Sequence, residues 1–418
     1  RLPTSAYNVS ATEEVSCGER LKLPMSTPAE LVKQSSFDSQ LHLRLVFGNG
    51  MVERVGELAA EYGASKVLLV TDPGIRSAGH VDKVSASLEA AKLQVVIYDQ
   101  AKENPTTECV AECVELAKAE QIDFIIGLGG GSSMDTAKGC NFILTNGGEM
   151  KDYWGVGKAS KPMLPLIAIP TTAGTGSECQ SFALISDATS HAKMACGDPK
   201  AMAKVAILDP ELTMSQPSHV TACTGIDAVA HAVESAVTRK RNETSQQYSR
   251  VAFGLLSESL PVVLKESANL GARGRLLLGA AFAGTAIEHS MLGAAHSAAN
   301  PLTAHYNVIH GQAVGMMLPH VVRFNGEDKT TADAYFELME GTSIGSDNGS
   351  LPHEVLAGEL EGLLDSAEMP RNLSKCGVKT TMLGVLSEEA ASQWTASFNP
   401  RDIAATDFLE LYQRALRV

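Results

Sequence analysis

The chain has 418 residues, 44% of them hydrophobic and 20% charged, with a formal net charge of −14. That length exceeds one ordinary core and sets two domains as the expectation, in a composition typical of soluble globular proteins. The acidic balance excludes nucleic acid and anionic membrane surfaces as partners, because no basic surplus exists to neutralise phosphates.

Residues 1–40 read as a polar N-terminal extension without clear periodicity, with a second possible start at Met25. No apolar signal-peptide core lies in residues 1–24, and Glu13, Glu14 and Glu19 argue against a transit peptide. From there "LHLRLVFGNG" (41–50) predicts a strand and turn. "KVLLVT" (66–71), "QVVIYD" (94–99), "DFIIGLG" (123–129), "PLIAIPTT" (165–172) and "KVAILD" (204–209) predict buried strands. Helical patterns such as "ECVAECVELAKAEQ" (108–121) separate them, which means βαβ units and a mostly parallel, Rossmann-like sheet over residues 41–213. Beyond "DPELTMSQP" (209–217) the chain turns Ala-, Leu- and Gly-rich with helical spacing and no further strand. The boundary is placed near Met214, and residues 214–418 read as an all-α domain. "TRKRN" (238–242) is the one dense basic run and reads as a solvated helix end. No segment approaches the ~20 apolar residues of a membrane span. The eight cysteines (17, 109, 113, 140, 179, 196, 223 and 376) form no CxxC pair and suggest a reducing, cytoplasmic setting. Cys109 and Cys113, four apart, read as packed thiols.

"DFIIGLGGGSSMDTAKG" (123–139) is a strand running through glycines into a helix. Glycines admit a ligand close to the backbone, and the helix start favours an anion such as pyrophosphate; many such turns are merely tight. The strand-end loop "IPTTAGTGSE" (169–178) has the small hydroxyl and glycine content expected beside a ribose or nicotinamide. Asp72, in "VTDPG", reads either as a turn residue before proline or as an acid on the adenosine ribose that repels a 2′-phosphate and favours NAD. The usual G-x-G-x-x-G after the first strand is absent.

In "GIDAVAHAVES" (225–235), Asp227 and His231 project from one face of an apolar helix. They read as a helix-internal hydrogen bond or as two ligands. "HSAANPLTAHYNVIHG" (296–311) brings His296, His305 and His310. On one straight helix His296 and His310 would stand ~21 Å apart, too far for one metal. The expectation is a helix ending near Pro301, with the chain turning back so that Asp227, His231, His296 and His310 converge.

These motifs, with "DPELT" (209–213) and "HGQAVGMMLPHV" (310–321), resemble the iron-containing (group III) alcohol dehydrogenase family in order and spacing from about residue 41 to near the C-terminus. The resemblance implies an α/β nucleotide domain followed by a helical domain, a metal and nicotinamide in the cleft between them, and a homodimer. It puts the metal ligands on Asp227, His231, His296 and His310. NAD contacts fall on Asp72, Asn104, Gly130, Gly131, Ser132, Asp135, Thr171, Thr172, Thr175, Lys193 and Leu212. The implied chemistry is interconversion of a small alcohol with an aldehyde or ketone, the metal acting as a Lewis acid on the substrate oxygen. Fe(II) is the family's ion, and Zn(II) suits the same donors.

One residue departs from the pattern. Many members carry His where this chain has Asn300, near the nicotinamide, and an amide does not titrate near neutral pH. His305 is the nearest substitute for a proton relay, and His320 reads as structural. Two related activities compete: a hydroxyacid–oxoacid transhydrogenase that retains NAD, and a lyase similar to dehydroquinate synthase. The "HSAANPLTAHYNVIHG" and "DPELT" segments fit the dehydrogenases better than the lyase.

Overall fold

The computed structural model describes residues 31–41, 43–189, 192–344 and 349–417; residues 1–30, with Met25 and Cys17, lie outside the described residues. Among the described residues ten strands come first: β1 (Phe37–Gln40), β2 (Arg44–Phe47), β3 (Lys66–Val70), β4 (Gln94–Tyr98), β5 (Phe124–Gly129), β6 (Gly155–Val156), β7 (Leu166–Pro170), β8 (Phe182–Ser186), β9 (Lys193–Gly197) and β10 (Val205–Leu208). Seven form one sheet in the order β1-β2-β10-β7-β5-β3-β4, parallel throughout except for the antiparallel β1–β2 edge. Helices α1 (Val55–Glu61), α2 (Pro73–Ser77), α3 (His80–Ala90), α4 (Thr107–Ala119) and α5 (Gly131–Asn146) connect these strands. Along β3, Val67 and Leu69 enter one apolar layer while Leu68 and Val70 enter the other. Burial on both faces is why these strands are continuous apolar runs rather than alternating ones.

Two features of this half depart from the sequence expectations. Part of the polar extension is ordered: Phe37–Gln40 pairs with Arg44–Phe47, and Leu31 is buried in the core. Arg44 fixes that edge by bonding Asp38 and Glu61, each at 2.8 Å. A separate small sheet, β6-β9-β8, was also not expected. Its strands are short, and β6 has only two residues, so it leaves no periodic signal.

Nine helices follow among the described residues: α6 (Ser218–Val237), α7 (Glu243–Lys265), α8 (Leu270–His289), α9 (Ala294–Tyr306), α10 (His310–Gly326), α11 (Lys329–Met339), α12 (Pro352–Ser366), α13 (Leu383–Ser392) and α14 (Ala405–Arg417). No single one is long and apolar enough to cross a membrane. The basic run lies at the α6–α7 turn, where Arg239 pairs with Asp402 and Lys240 sits over the Phe398 ring. Cys109 and Cys113 are buried in the core.

The helix bearing His296 does not end near Pro301. It continues to Tyr306 and stops at Asn307, which adopts the left-handed conformation (φ 51°). Proline removes one backbone bond. Here the complete burial of Ala298, Ala299 and Leu302 outweighs that loss.

Candidate active site

Four side chains converge from three helix segments. On α6, Asp227, His231 and Glu234 are spaced by four and three residues, share one face and are all buried. Gly293 leads into α9, which presents His296 in its first turn. His310 opens α10. Gly311 lets that helix start press onto α6, since a Cβ there would lie 2.0 Å from the Cys223 carbonyl oxygen.

The Nε2 atoms of His231, His296 and His310 lie 3.5, 3.4 and 3.9 Å from Asp227 Oδ1. Ligands ~2.1 Å from one tetrahedral ion stand about 3.4 Å apart, so this is the spacing of co-ligands. Asp227 Oδ1 and His296 Nε2 are both buried without a hydrogen-bond partner. Orphaned polar atoms are costly, and these share a focus with His231. The donor set fits a divalent ion such as Fe(II) or Zn(II).

Electrostatics bind the cluster together. Burial raises the Asp227 carboxyl, but the three imidazoles outweigh it and hold the group far below its ordinary value. Burial lowers His296, yet Glu234 and Asp227 carry it up to about 9. His310 is the most exposed of the four, with 36% of its side chain open, and desolvation lowers it against the opposing pull of Asp227.

Glu234 escaped the sequence reading. Its Oε2 lies 2.5 Å from His296 Nδ1, and its Oε1 accepts the Ala295 N–H at 2.7 Å. The signal was present as a second acid seven residues after Asp227, on the same apolar face.

The cofactor candidates gather around the C-terminal ends of β3, β5 and β7, where open parallel sheets bind ligands. Gly130 caps α5 with no side-chain cap, so the first N–H groups, from Gly131 and Ser132 on, remain available for an anion. A Cβ on Gly131 would lie 2.9 Å from Thr175, and one on Gly130 would lie 3.5 Å from Thr172. Thr171 Oγ1 is buried and unpartnered beside them. These atoms form a cradle that fits a dinucleotide. Asp72 stands at the same turn, accepting from the Ile75 N–H (3.0 Å) and the Ser133 hydroxyl (3.3 Å). Two accepted bonds leave its carboxylate further lone pairs. Lys193 Nζ reaches Asn104 Oδ1 at 3.4 Å.

Other expected residues sit differently. Asp135 is buried and accepts from the Ser177 hydroxyl at 3.2 Å, with burial raising it to about 6. Leu212 has a fully buried side chain in the core beneath the sheet, so only its backbone remains for a ligand. His305 follows His296 by nine residues, half a revolution away on the helix. It faces outward and pairs with Glu389 at 2.8 Å, so this arrangement provides no relay through its ring. Asn300, one turn from His296, donates to Gln393 Oε1 at 3.0 Å. His320 is buried on α10.

The loop between the two halves is fixed by close backbone approaches. A Cβ on Gly174 would strike Thr224 of α6, and one on Gly176 would strike Gly284 of α8. Lys138 of α5, fully buried, donates to the Ser177 carbonyl (2.6 Å), the Ser177 hydroxyl (3.0 Å) and the Phe182 carbonyl (3.0 Å). The glycine turn that opens α5, the threonine loop and α6 therefore form one packed unit.

The family description "Iron-containing alcohol dehydrogenase" matches residues 43–210, and its C-terminal counterpart matches residues 221–416. The chain is 33% identical over 371 residues to the NAD-dependent methanol dehydrogenase of Bacillus methanolicus, covering 89% of this chain and 97% of that protein. It is 34% identical over 361 residues to alcohol dehydrogenase 4 of Schizosaccharomyces pombe, covering 85% and 83%. Among solved structures, the alcohol dehydrogenase of Oenococcus oeni superposes with a TM-score of 0.84 at 30% identity, covering 89% of this chain and 97% of that one.

Proposed function

The chain belongs to the iron-containing alcohol dehydrogenase family, and from that premise we propose that it interconverts a small alcohol with an aldehyde or ketone using NAD(H) and a divalent metal. The observation that carries the reading is the shared focus of Asp227, His231 and His296, with His310 Nε2 3.9 Å from the same Asp227 oxygen, beside the threonine loop. When bound, the metal supplies Lewis acidity toward the substrate oxygen, and the nicotinamide supplies the hydride acceptor. In this proposal Asp227 and the three imidazoles hold the ion. Glu234 accepts a hydrogen bond from His296 Nδ1–H and leaves Nε2 free to ligate. The helix start at Gly130, Gly131 and Ser132 takes the pyrophosphate, and Thr171, Thr172 and Thr175 line the nicotinamide side. Asn300 orients by hydrogen bonding through an amide that does not titrate, so the proton leaves without residing on that side chain.

The proposal extends to a reducing, cytoplasmic compartment, supported by seven free cysteines among the described residues. A homodimer follows from the family resemblance, and sedimentation tests it.

The functional test is NADH formation by anaerobic, Fe(II)-loaded protein over a panel of primary alcohols and diols, with chelator-treated protein as the control. Chelator-sensitive turnover is expected. Hydride exchange between two substrates without added nucleotide would replace this reading with a transhydrogenase.

A further inference from the structure

Gln393 and the short 3-10 helix Trp394–Phe398 that follows it are laid along the helix that carries His296. Gln393 Oε1 accepts from Asn300, and the Thr395 hydroxyl lies 2.7 Å from that of Ser297, so both flanking residues grip the turn that begins at His296. Trp394, held between them, is 44% exposed. Its ring centroid lies 6.1 Å from Phe182, tilted by 34°, and 5.6 Å from Phe398 in an edge-on contact. Phe182 opens β8, in the other half of the molecule, four residues beyond Glu178 at the end of the threonine loop. The Phe182 ring cannot withdraw: a Cβ on Gly197 would lie 2.4 Å from it, and Lys138 holds its carbonyl. Trp394 also borders a recess of about 350 Å³ shared with Arg239, Gln393, Arg401 and Asp402.

We propose that Trp394 and Phe182 meet across the mouth of the metal-bearing cleft as an aromatic partition that restricts the enzyme to short, unbranched alcohols and aldehydes. The inference rests on the alcohol-oxidising reading above and adds the substrate class. A bulky pair that spans the two halves beside the His296 turn limits how far an alkyl chain extends from the reacting carbon. Removing the indole takes away one side of that pair and admits a longer tail. Size discrimination by an apolar pocket amounts to about tenfold or more per methylene.

The test measures kcat/KM for ethanol, butanol and hexanol in the metal-loaded enzyme and in the variants Trp394→Ala, Phe182→Ala and Trp394→Phe. The wild type is expected to favour ethanol. Trp394→Ala and Phe182→Ala are expected to raise the hexanol-to-ethanol ratio by about tenfold or more, chiefly through KM, while Trp394→Phe keeps the wild-type order. Should Trp394→Ala fail to fold, Phe182→Ala and Trp394→Leu carry the same expectation. An unchanged ratio in folded variants, or a uniform loss on all three alcohols, overturns the partition and leaves the alcohol-oxidising reading standing. Absence of turnover on every alcohol in the wild type overturns both.

Discussion

Replacing Glu234 probes the metal centre without touching a ligand. Its carboxylate accepts from two neighbours at once, the Ala295 N–H at 2.7 Å and His296 Nδ1 at 2.5 Å. In Glu234→Gln only one oxygen remains. If that oxygen keeps Ala295, the new amide N–H faces Nδ1, which must then accept. The ring proton moves to Nε2, the atom 3.4 Å from Asp227 that would otherwise ligate. The isosteric variant therefore selects the wrong tautomer, whereas Glu234→Ala merely frees the ring. Loss of such an outer partner weakens metal affinity by about 10–100-fold, or roughly 1.4–2.7 kcal/mol. Apo-protein titrated with Zn(II) against a chromophoric chelator measures this independently of turnover. Glu234→Gln is expected to bind at least as weakly as Glu234→Ala while melting closer to wild type. Wild-type affinity in a folded Glu234→Gln protein would refute the argument.

Three further outcomes are expected. Gly311→Ala drives a Cβ into the Cys223 carbonyl, so it should cost on the order of 3 kcal/mol in denaturant unfolding and weaken Zn(II) binding by displacing His310. Asp72→Asn keeps an acceptor for the Ile75 N–H but removes the charge, so the NADP-to-NAD ratio of kcat/KM should rise about tenfold, the ~1.4 kcal/mol scale of one like-charge contact. Glu178 is buried with Oε1 unpartnered, and burial raises it to about 7 from 4.5. The folded state therefore holds that proton more tightly than the unfolded chain, and its contribution, complete below 4.5, is lost as pH climbs through 7. Glu178→Gln should flatten the fall in melting temperature between pH 5 and 8, a slope worth at most about 3 kcal/mol; parallel wild-type and variant curves would refute it.

What could be read from the sequence was whatever repeats or clusters locally. The parallel strands showed because both faces of β3, β5 and β7 are buried, leaving uninterrupted apolar runs. The candidate metal cluster was legible because polar residues on the apolar face of α6 are conspicuous. The small sheet was invisible because FALIS and KMACG contain a single β-branched residue between them and β6 has only two residues. Pro301 misled because a propensity rule yields when the surrounding helix is buried. His305 was nominated by nearness in sequence, and the nine-residue rotation of an α-helix turned it away. Glu234 was legible in principle, but its role depends on where α9 docks, which no local pattern encodes.

The loop "PTTAGTGSE" was read as a cofactor loop, and its glycines have a second role. Gly174 meets Thr224 one turn before Asp227, and Gly176 meets Gly284, while Lys138 ties the same loop to the helix that begins at the phosphate turn. The separation between the threonine loop and the candidate metal ligands is thus set by contacts too close to admit even a methyl group. Reaction rates are steep in that separation, with a displacement of about 1 Å costing on the order of a hundredfold. Small residues in this loop accordingly serve positioning as much as ligand access. A methyl group added at Gly176 would meet Gly284 and the Ala280 carbonyl, so it would press on the contact between the two halves.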